Sequence, residues 1–461
     1  MNLVWFRNDL RLTDNPALWH ATDQGPSAGI FYLTPGQWQS HRMAGCRVDF
    51  ILRSLKTLRA ELAALGIPLL VRQLDSFADI PGDLLALCRK AAVRQVFWNH
   101  EYPLDEVVRD RAVAQALEGE NIGVKRFHDR VIAAPGAVVK DDGEAYRVFT
   151  PFKKTWLRLL DQGLPELFPA PAPQAPLELE TGVIPDRLAG FDTTVDAGLW
   201  PAGEAEAQGR LNTFINTALD HYHRDRDLPA VAGTSSLSPY LAIGSISPQQ
   251  CLLAALAGPR GQGADTWIGE LIWRDFYQHI VWHYPRVCRH LPFKEETDRV
   301  PWRDDRADME AWQRGQTGVP LVDAGMRQLQ RTGWMHNRVR MVVAMFLSKN
   351  LLLDWRLGEG YFMANLIDGD FPANNGGWQW SASTGTDAVP YFRIFNPFTQ
   401  GQRFDPEARY IKEFVPELRG LAAADIHRPA HLAKLKPPGY GAPLVDLSRS
   451  RELALAAFRS L

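Results

Sequence analysis

One stretch of the sequence, residues 368–397, combines carboxylate, amide, glycine and aromatic residues in a way that suits a cofactor site. It reads DGDFPANNGGWQWSASTGTDAVPYFRIFNP. Gly376 and Gly377 follow two asparagines and predict a tight turn, because both residue types tolerate backbone angles that others avoid. Amide side chains, closely approaching backbone and the indoles of Trp378 and Trp380 suit the wall of a flat aromatic cofactor. An ordered Asn-Gly turn beside a core tryptophan is the alternative interpretation.

A second candidate pocket lies in the segment ELIWRDFY. Helical spacing places Glu270, Trp273, Arg274 and Tyr277 on one face. A solvated face rarely contains Trp and Tyr, and a core face rarely contains Glu and Arg. The mixture therefore suits a pocket that stacks on a flat polar ring and hydrogen-bonds its edge. A buried structural Glu–Arg pair would give the same pattern.

Hydroxyl residues run into a predicted helix start at residues 234–238, TSSLS. Ser238 before Pro239 resembles an N-cap followed by a first-turn proline, and Ser247 before Pro248 repeats the pattern. Hydroxyls and free backbone N–H groups at a helix N-terminus bind anions. The segment predicts a phosphate or pyrophosphate site without a P-loop, unless it is only a serine-rich capping loop.

A further mixed face is predicted within WMHNRVRMVVAMF. Asn337 and Met341 are four residues apart on a helix, with Arg340 beside them. Arg338 points away from this face, toward solvent or a phosphate. The segment therefore predicts a polar pocket wall beside an arginine that is directed to solvent or a phosphate.

Two aspartates, Asp368 and Asp370, open the cofactor-like stretch. They could accept hydrogen bonds from Arg340 or from ligand hydroxyls. Carboxylates one residue apart can also bind a cation, but no His or Cys accompanies them at ligand spacing. The sequence therefore predicts no metal site.

The elements that must position these residues change character along the chain. Residues 1–130 alternate strand and helix, which predicts a doubly wound, parallel, Rossmann-like sheet without the G-x-G-x-x-G fingerprint. Residues 131–205 are rich in proline and predict a connector. Residues 206–461 predict an all-helical domain. The predicted strands are 3–6, 28–33, 67–72 and 95–98, and the predicted long helices are 46–65, 267–283 and 334–353.

Composition fits a globular protein of two domains. The chain has 461 residues, 46% of them hydrophobic and 23% charged, which is too long for one ordinary core. A net charge of −2 means that any DNA binding needs a local basic patch. Four cysteines without a C-x-x-C motif disfavour a disulfide framework or a structural zinc site. No long apolar run predicts a signal peptide or a membrane span, so we expect a cytoplasmic protein.

Five motifs together resemble the photolyase/cryptochrome flavoprotein family, and within it the class I group that acts on cyclobutane pyrimidine dimers. The resemblance implies an N-terminal α/β domain and a C-terminal helical domain that binds FAD. It also implies light-dependent repair of UV-damaged DNA, in which excited FADH⁻ gives one electron to a flipped dimer, the two bonds joining the bases split, and the electron returns. The motifs are VWFRNDLRL at 4–12, GTSSLSPYLAIG at 233–244, ELIWRDFY at 270–277, TGWMHNRVRM at 332–341 and the stretch at 368–397.

The resemblance assigns an FAD site residue by residue. Asn374 would lie beside flavin N5, where a neutral amide cannot readily supply a proton. Ser236 stands where many relatives have a basic residue, which removes one positive charge near the phosphates. The phosphates would be held by Tyr222, Thr234, Ser235, Ser236, Leu237 and Ser238. The remaining cofactor residues would be Trp267, Glu270, Arg274, Asn337, Arg340, Asp368 and Asp370.

The resemblance also implies a lesion pocket and a basic rim. The dimer would stack on Trp273 and Trp380, and Glu270 would hydrogen-bond a base edge, for which we predict a raised pKa. Asn337 and Met341 would complete the pocket. Phosphate contacts would come from Lys153, Lys154, Arg226, Arg274, Arg338, Arg393 and Arg403.

Three tryptophans match the family's electron relay. Trp378, Trp355 and Trp302 would pass an electron from the surface to photoexcited flavin. Nine of the 15 tryptophans lie between Trp267 and Trp380, which is more than core filling readily explains. Three ordinary core indoles are the alternative.

The family's folate antenna site is only partly present. Glu106 and Cys288 match it, whereas Asp105 stands where close relatives have Asn and Arg289 where they have Lys. The expected antenna is 5,10-methenyltetrahydrofolate; a deazaflavin or no antenna is the alternative.

Three rival functions remain at this stage. A (6-4) photolyase would place histidine where Asn337 and Met341 stand. Single-strand-preferring cryptochromes tend to have Tyr in place of Trp380, and a signalling cryptochrome usually adds a C-terminal tail, whereas this sequence ends about 60 residues after the flavin motif. A flavin-binding module without catalysis should lack the Glu270, Trp273 and Trp380 pocket. We expect a monomer.

Overall fold

The first part of the chain forms a five-stranded parallel sheet with the strand order β3-β2-β1-β4-β5. The computed structural model describes residues 1–459 and 461. The parallel α/β sheet is as predicted. The strands are β1 (Asn2–Phe6), β2 (Ser27–Leu33), β3 (Leu69–Gln73), β4 (Gln95–Asn99) and β5 (Gly123–Phe127).

One strand, β5, was not predicted from the sequence. Its residues Lys125 and Arg126 are exposed, whereas all five residues of β1 are buried. An edge strand with charged side chains lacks the apolar run by which buried parallel strands are recognised. The polar strand therefore gave no sequence signal.

Helices flank the sheet in sequence and dominate the rest of the chain. The first seven are α1 (Pro16–Asp23), α2 (Pro35–Ser40), α3 (Gly45–Ala64), α4 (Ile80–Lys90), α5 (Leu104–Glu118), α6 (Phe149–Leu160) and α7 (Glu204–Thr217). Helix α6 lies within the predicted connector, so that segment is not irregular throughout.

The second half is helical, as predicted. Its first seven helices are α8 (Tyr222–Asp225), α9 (Ser238–Ile243), α10 (Pro248–Ala257), α11 (Gln262–His283), α12 (Arg306–Arg314), α13 (Pro320–Thr332) and α14 (Asn337–Met345). The others are α15 (Trp355–Met363), α16 (Phe371–Ala382), α17 (Pro397–Phe404), α18 (Arg409–Phe414), α19 (Ala423–Ile426), α20 (Pro429–Leu435) and α21 (Leu447–Arg459). No helix in the described part of the chain is long and apolar enough to cross a membrane.

The predicted turn around Asn374 is wrong, because α16 continues through Gly376 and Gly377. Neither glycine has a positive φ, so the chain continues as a helix here and does not reverse direction. Gly377 has no heavy atom within 4 Å of where a Cβ would stand. Local glycine content favoured a turn, and the surrounding structure overrode that preference.

Two other sequence predictions also need correction. The long helix predicted from residue 334 begins only at Asn337, where His336 caps it by accepting a 3.2 Å hydrogen bond from the Arg338 N–H. After Met345 it continues as a π-helical turn, Phe346–Asn350. Ser238 is the first residue of α9 instead of its N-cap, whereas Ser247 caps α10 in a capping box as predicted.

The chain divides into two compact units that interleave in sequence. The first comprises residues 1–220, 235–285 and 367–372, and the second comprises residues 221–234, 286–366 and 373–461. The predicted domain limits at residues 130 and 205 stay a prediction.

In the first unit, a buried carboxylate ties α11 to the backbone that follows β5. Asp275 accepts hydrogen bonds from the N–H groups of Ile132 and Ala133, each at 3.0 Å, and from Trp156 Nε1 at 2.9 Å. Burial raises the pKa of Asp275 to about 6. Because a buried carboxylate without donors would be costly, these bonds fix where α11 lies against the connector.

The first unit also buries histidines. His279 on α11 is 3% exposed, and its Nε2 lies 2.8 Å from the Ala133 carbonyl oxygen. His100, after β4, stacks on His128 at 4.7 Å. Burial lowers the pKa of His279 from 6.5 to about 4 and has the same effect on His100. These side chains are therefore neutral inside the folded unit near pH 7.

We expect the protein to lose stability as the pH falls from about 6.5 to about 4, because unfolded histidine takes up a proton before folded His279 does. The change His279→Gln keeps an N–H donor and cannot titrate, so the loss near pH 4.5 should shrink by roughly 2 kcal/mol. Thermal unfolding near neutral pH and near pH 4.5 measures this difference. His431→Gln at an exposed position is the control, and equal acid sensitivity of the His279 variant and the wild type would contradict the assignment.

Candidate active site

The mixed face of α11 is present in the first unit. Trp273 and Arg274 are half-buried, and the Trp273 ring stacks on Phe149 with centroids 3.6 Å apart and planes at 8°. Tyr277 lies on the same face, 5.6 Å from Trp273 between ring centroids. One surface of the Trp273 indole is thus covered by Phe149, which holds the ring plane and limits stacking partners to the other surface.

Asp370 is held by an arginine and a glutamine of the first unit. Arg130 forms a 2.7 Å ion pair with Asp370, and Gln278 Nε2 donates to the same carboxylate at 3.2 Å. Arg274 donates to the Arg130 carbonyl oxygen, and Arg47 donates to the Gly369 carbonyl oxygen. The sequence proposed Arg340 as a partner of the aspartates; Arg130 and Gln278 provide two that it did not identify.

Asn374 is oriented from within the second unit. Its Nδ2 donates to the Glu359 carbonyl oxygen at 3.0 Å and to Glu359 Oε1 at 3.3 Å. Both amide hydrogens therefore have acceptors on one residue, which leaves the amide oxygen directed elsewhere. Glu359 is 1% exposed and gave no signal in the sequence.

The three tryptophans of the predicted relay share one apolar core. Trp378 and Trp355 are 2% and 1% exposed members of a cluster in the second unit, and Trp302 packs against it while partly exposed. Trp378 also lies 6.0 Å from Trp312 between ring centroids. Two of the three indoles are thus buried and Trp302 is partly exposed, while their role as a relay stays a prediction.

Two predicted cations of the second unit share one aspartate. Arg338 is paired with Asp227 at 2.7 Å and lies over the Phe404 ring at 4.4 Å. Arg226 lies 3.9 Å from the same carboxylate and over the Tyr222 ring. Asp227 is a partner of Arg338 that the sequence did not identify, and the orientation of Arg338 toward solvent or a phosphate stays a prediction.

The other predicted site residues that can be described have contacts unrelated to one another. Asn337 is exposed at the start of α14, and Arg340 Nε donates to the Met335 carbonyl oxygen at 2.7 Å. Ser236 has a φ of +50°, a left-handed conformation that bends the chain before α9. Trp267 packs on Phe214 with ring centroids 4.9 Å apart.

The antenna residues divide between the units. In the first unit, His41 Nε2 lies 2.9 Å from Asp105 Oδ2, and His41 Nδ1 lies 3.8 Å from Glu106 Oε1. Burial raises the pKa of Glu106. His41 and Glu106 border a pocket that is partly open to solvent and lined also by Trp38 and Phe77. Cys288 and Arg289 belong to the second unit, in the short helical turn Pro285–Arg289.

Comparison with known proteins covers both parts of the chain. Residues 2–174 match the family described as DNA photolyase, and residues 267–460 match the family described as the FAD binding domain of DNA photolyase. The deoxyribodipyrimidine photo-lyase of Salmonella typhimurium is 46% identical, with 100% of this chain and 98% of the relative covered. That of Escherichia coli is 45% identical with the same coverage. The chain belongs to the DNA photolyase family.

Solved structures of the family have the same fold. A bacterial class III photolyase from Agrobacterium tumefaciens superposes with a TM-score of 0.90 at 35% identity, covering 100% of this chain and 97% of that one. A cryptochrome from Synechocystis superposes with a TM-score of 0.87 at 27% identity, covering 99% of each chain. The photolyase architecture predicted from the motifs is thereby confirmed.

FAD is the cofactor of this family, and the residues present fit it. Within the described residues, several buried polar atoms of the site segments have no partner in the protein: Gln278 Oε1 in the first unit, and Asn375 Nδ2 and Trp378 Nε1 in the second. Buried donors and acceptors normally find partners, so a polar ligand at these segments is chemically reasonable.

Several contacts of the predicted residues could not be identified from the sequence. Phe149 lies in a segment, FTPFKKTW, that the sequence marks as mixed aromatic and basic, but its stacking on Trp273 was not predicted. Arg130, Glu359 and His41 are single residues far in sequence from the groups they contact. Only the folded chain pairs them.

The ion pair of Arg130 and Asp370 gives a stability test. The change Asp370→Asn removes the charge opposite a nearly buried guanidinium and should lower the free energy of unfolding by about 2 kcal/mol. Thermal unfolding measures it, and Asp304→Asn at an exposed position is the control. An unchanged midpoint for the Asp370 variant would show that the pair contributes nothing.

Proposed function

We propose that this protein is a deoxyribodipyrimidine photo-lyase that uses light to split cyclobutane pyrimidine dimers in DNA. The relatives that are 45% and 46% identical over the whole chain have this name. The observation that carries the proposal is the α11 face, where Trp273 is backed by Phe149 and stands three residues from Glu270. A flat aromatic surface beside a carboxyl group suits a pyrimidine pair, which needs stacking and a hydrogen bond to its edge.

The protein's residues contribute binding, orientation and electrostatics. Bound FAD in its reduced form, FADH⁻, supplies the photoexcited electron. Asn374, fixed by Glu359, would present its amide oxygen to the cofactor and offer no acidic proton. The FAD phosphates would lie with Tyr222 and residues 234–238, and the rest of the cofactor with the residues that the family resemblance assigns.

Glu270 would hydrogen-bond the dimer and stabilise its added negative charge. A carboxyl group does this only when it is protonated or otherwise donates a hydrogen, so the proposal includes a raised pKa for Glu270. Trp273 and Trp380 would stack on the pyrimidines, and Asn337 and Met341 would line the pocket.

DNA affinity would come from cations that are exposed or half-exposed. Lys153 and Lys154 lie on α6 in the first unit, and Arg393 and Arg403 are exposed in the second. Arg226, Arg274 and Arg338 already have protein partners, so they would reach phosphates only by sharing or exchanging those bonds. Affinity should fall with salt, as phosphate contacts require.

The antenna and the assembly complete the proposal. Glu106, Asp105, Cys288 and Arg289 would bind 5,10-methenyltetrahydrofolate, and His41 stands within reach of both carboxylates. The protein would act as a cytoplasmic monomer.

A (6-4) photolyase or a cryptochrome is the alternative function, and it is not favoured. The Synechocystis cryptochrome is 27% identical, against 46% for the Salmonella photo-lyase. Asn337 and Met341 occupy the places where (6-4) enzymes have histidine.

The deciding experiment compares two lesions. Reduced protein is mixed with an oligonucleotide that contains a cyclobutane dimer or a (6-4) product, illuminated with blue light, and followed by absorbance of the restored pyrimidines. We expect recovery only for the cyclobutane dimer. Recovery of the (6-4) product alone, or of neither lesion with FAD bound, would contradict the proposal.

Glu270 should matter more for repair than for binding. We expect Glu270→Ala to lower the repair yield on the order of threefold or more and to change the Kd for dimer DNA less than this. Glu270→Gln retains a donor, so it should keep most of the yield. Repair by the wild type should decline as the pH rises through the pKa of Glu270, and the Gln variant should lose this dependence. Parallel loss of affinity and yield in the Ala variant would remove the catalytic role.

Trp302 should affect reduction of the flavin and not repair. We expect Trp302→Phe to slow photoreduction of oxidised FAD severalfold, because the outermost indole of the relay is lost. Repair by protein that was reduced chemically beforehand should stay close to wild type. Trp282→Phe, an exposed tryptophan in the other unit, is the control, and unchanged photoreduction in the Trp302 variant would contradict the relay.

A further inference from the structure

A lysine with no solvent exposure lies inside the second unit. Lys349 belongs to the π-helical turn Phe346–Asn350, and its relative exposure is 0%. Such turns are rare and frequently occur at functional sites. Burial, with a smaller contribution from Lys294, lowers the pKa of Lys349 to about 7. None of the roles proposed above uses this amine.

The amine connects the π-helical turn to the chain that follows α16. Lys349 Nζ donates to Ser383 Oγ at 2.7 Å and to the Tyr391 carbonyl oxygen at 3.0 Å. It also lies 4.8 Å from the centroid of the Phe458 ring on α21. These are neutral acceptors and an aromatic face, so the amine is bound by hydrogen bonds and a cation–π contact.

Lys349 is bonded to the segment 383–395, which follows Trp380 and is named the Trp380 loop because its backbone hydrogen-bonds to that residue. Ser383 N–H and Val389 N–H both donate to the Trp380 carbonyl oxygen at 3.3 Å, and Ser383 Oγ donates to the Val389 carbonyl oxygen at 2.6 Å. The loop therefore folds back on Trp380.

The outer part of the loop is exposed and is anchored only at certain points. The Tyr391 ring stacks on Phe458 at 6.0 Å, and Phe392 is 59% exposed. Arg393, also exposed, follows directly and donates its N–H to the Pro390 carbonyl oxygen. The amine of Lys349 is bonded to the first residue of the loop, Ser383, and to Tyr391, two residues before Arg393.

We propose that Lys349 is a positioning residue for DNA recognition, which fixes the Trp380 loop from inside the protein so that Trp380 and Arg393 keep their places. This inference rests on the proposed function, in which those two side chains contact the lesion and a phosphate. Lys349 itself contacts neither the lesion nor a phosphate, since it has no exposed surface.

Stability alone does not account for a lysine here. A buried amine must be desolvated, and this cost offsets part of what its hydrogen bonds contribute to stability. We therefore expect that removing the amine changes mainly the position of the loop. A positioning role and a packing role consequently predict different results for the same substitution.

The test replaces Lys349 with methionine in the full FAD-bound protein and measures dark binding of dimer-containing and undamaged duplexes over a range of salt. We expect Lys349→Met to lower the ratio of the two affinities roughly tenfold, the scale of one lost charge-assisted hydrogen bond. The slope of log affinity against log salt is negative, and its magnitude should decrease by about one, as in Arg393→Ala. In the double variant the magnitude should be no smaller than in either single variant. The melting temperature should stay near wild type.

Two further variants separate positioning from general loosening. Asn350→Ala alters the same π-helical turn, but Asn350 donates to Ser450 on α21 and not to the loop, so discrimination and salt slope should be unchanged. Ser383→Ala removes one acceptor and leaves the lysine in place, and it should shift both quantities in the same direction as Lys349→Met. It also provides the test if the methionine variant does not fold.

Three results would overturn the inference. The first is a folded Lys349→Met protein that has the wild-type ratio of affinities for dimer and undamaged DNA. The second is an equal loss of this ratio in Asn350→Ala. The third is a double variant in which the two changes in salt slope add. In each case the wild type still binds and repairs the dimer, so the proposed function stands. A wild-type protein that ignores dimer DNA contradicts the proposed function and this inference with it.

Discussion

The position of α11 in the first unit depends on one constraint, which is that its charged side chains need hydrogen-bond or ion-pair partners. Asp275 receives two backbone N–H groups and an indole N–H, and Arg274 donates to the carbonyl of Arg130, which in turn pairs with Asp370. Each group would be expensive to bury alone, so the set is stable only when all its members are in place. The helix is thereby fixed on the side of Asp275.

The second unit uses packing where the first uses charge. Trp378 stands against α15 so closely that a side-chain carbon on Gly358 would lie 2.1 Å from the indole. Asn374, one turn earlier on the same helix, takes its orientation from Glu359 on α15. Packing against α15 thus fixes the positions of an indole and an amide on one helix. The asparagine and glycine residues that resemble a turn in the sequence are helical because this packing requires it.

Prediction from the sequence succeeded where a local pattern determines the structure. Parallel strands with all residues buried, as in β1, are visible as apolar runs, and the capping box at Ser247 is a local arrangement. The motifs identified the family because their order and length are specific. The sequence could not identify contacts between distant residues, such as that of Arg338 with Asp227, which lies 111 positions away. The partners of Asn374, Asp370 and Asp105 belong to the same class, since sequence spacing contains no information about contacts between remote segments.

The charged strand β5 has a consequence for how the sheet ends. An open sheet offers unpaired N–H and C=O groups to any extended peptide, and strand addition at such an edge leads to aggregation. At the opposite edge the backbone of β3 is already occupied, because the Val71 N–H donates to the Thr181 carbonyl oxygen at 2.8 Å. At β5 the exposed cations Lys125 and Arg126 would meet identical charges on a second copy. Like-charge repulsion on one side and a covering segment on the other thus discourage edge-to-edge polymerisation of the sheet.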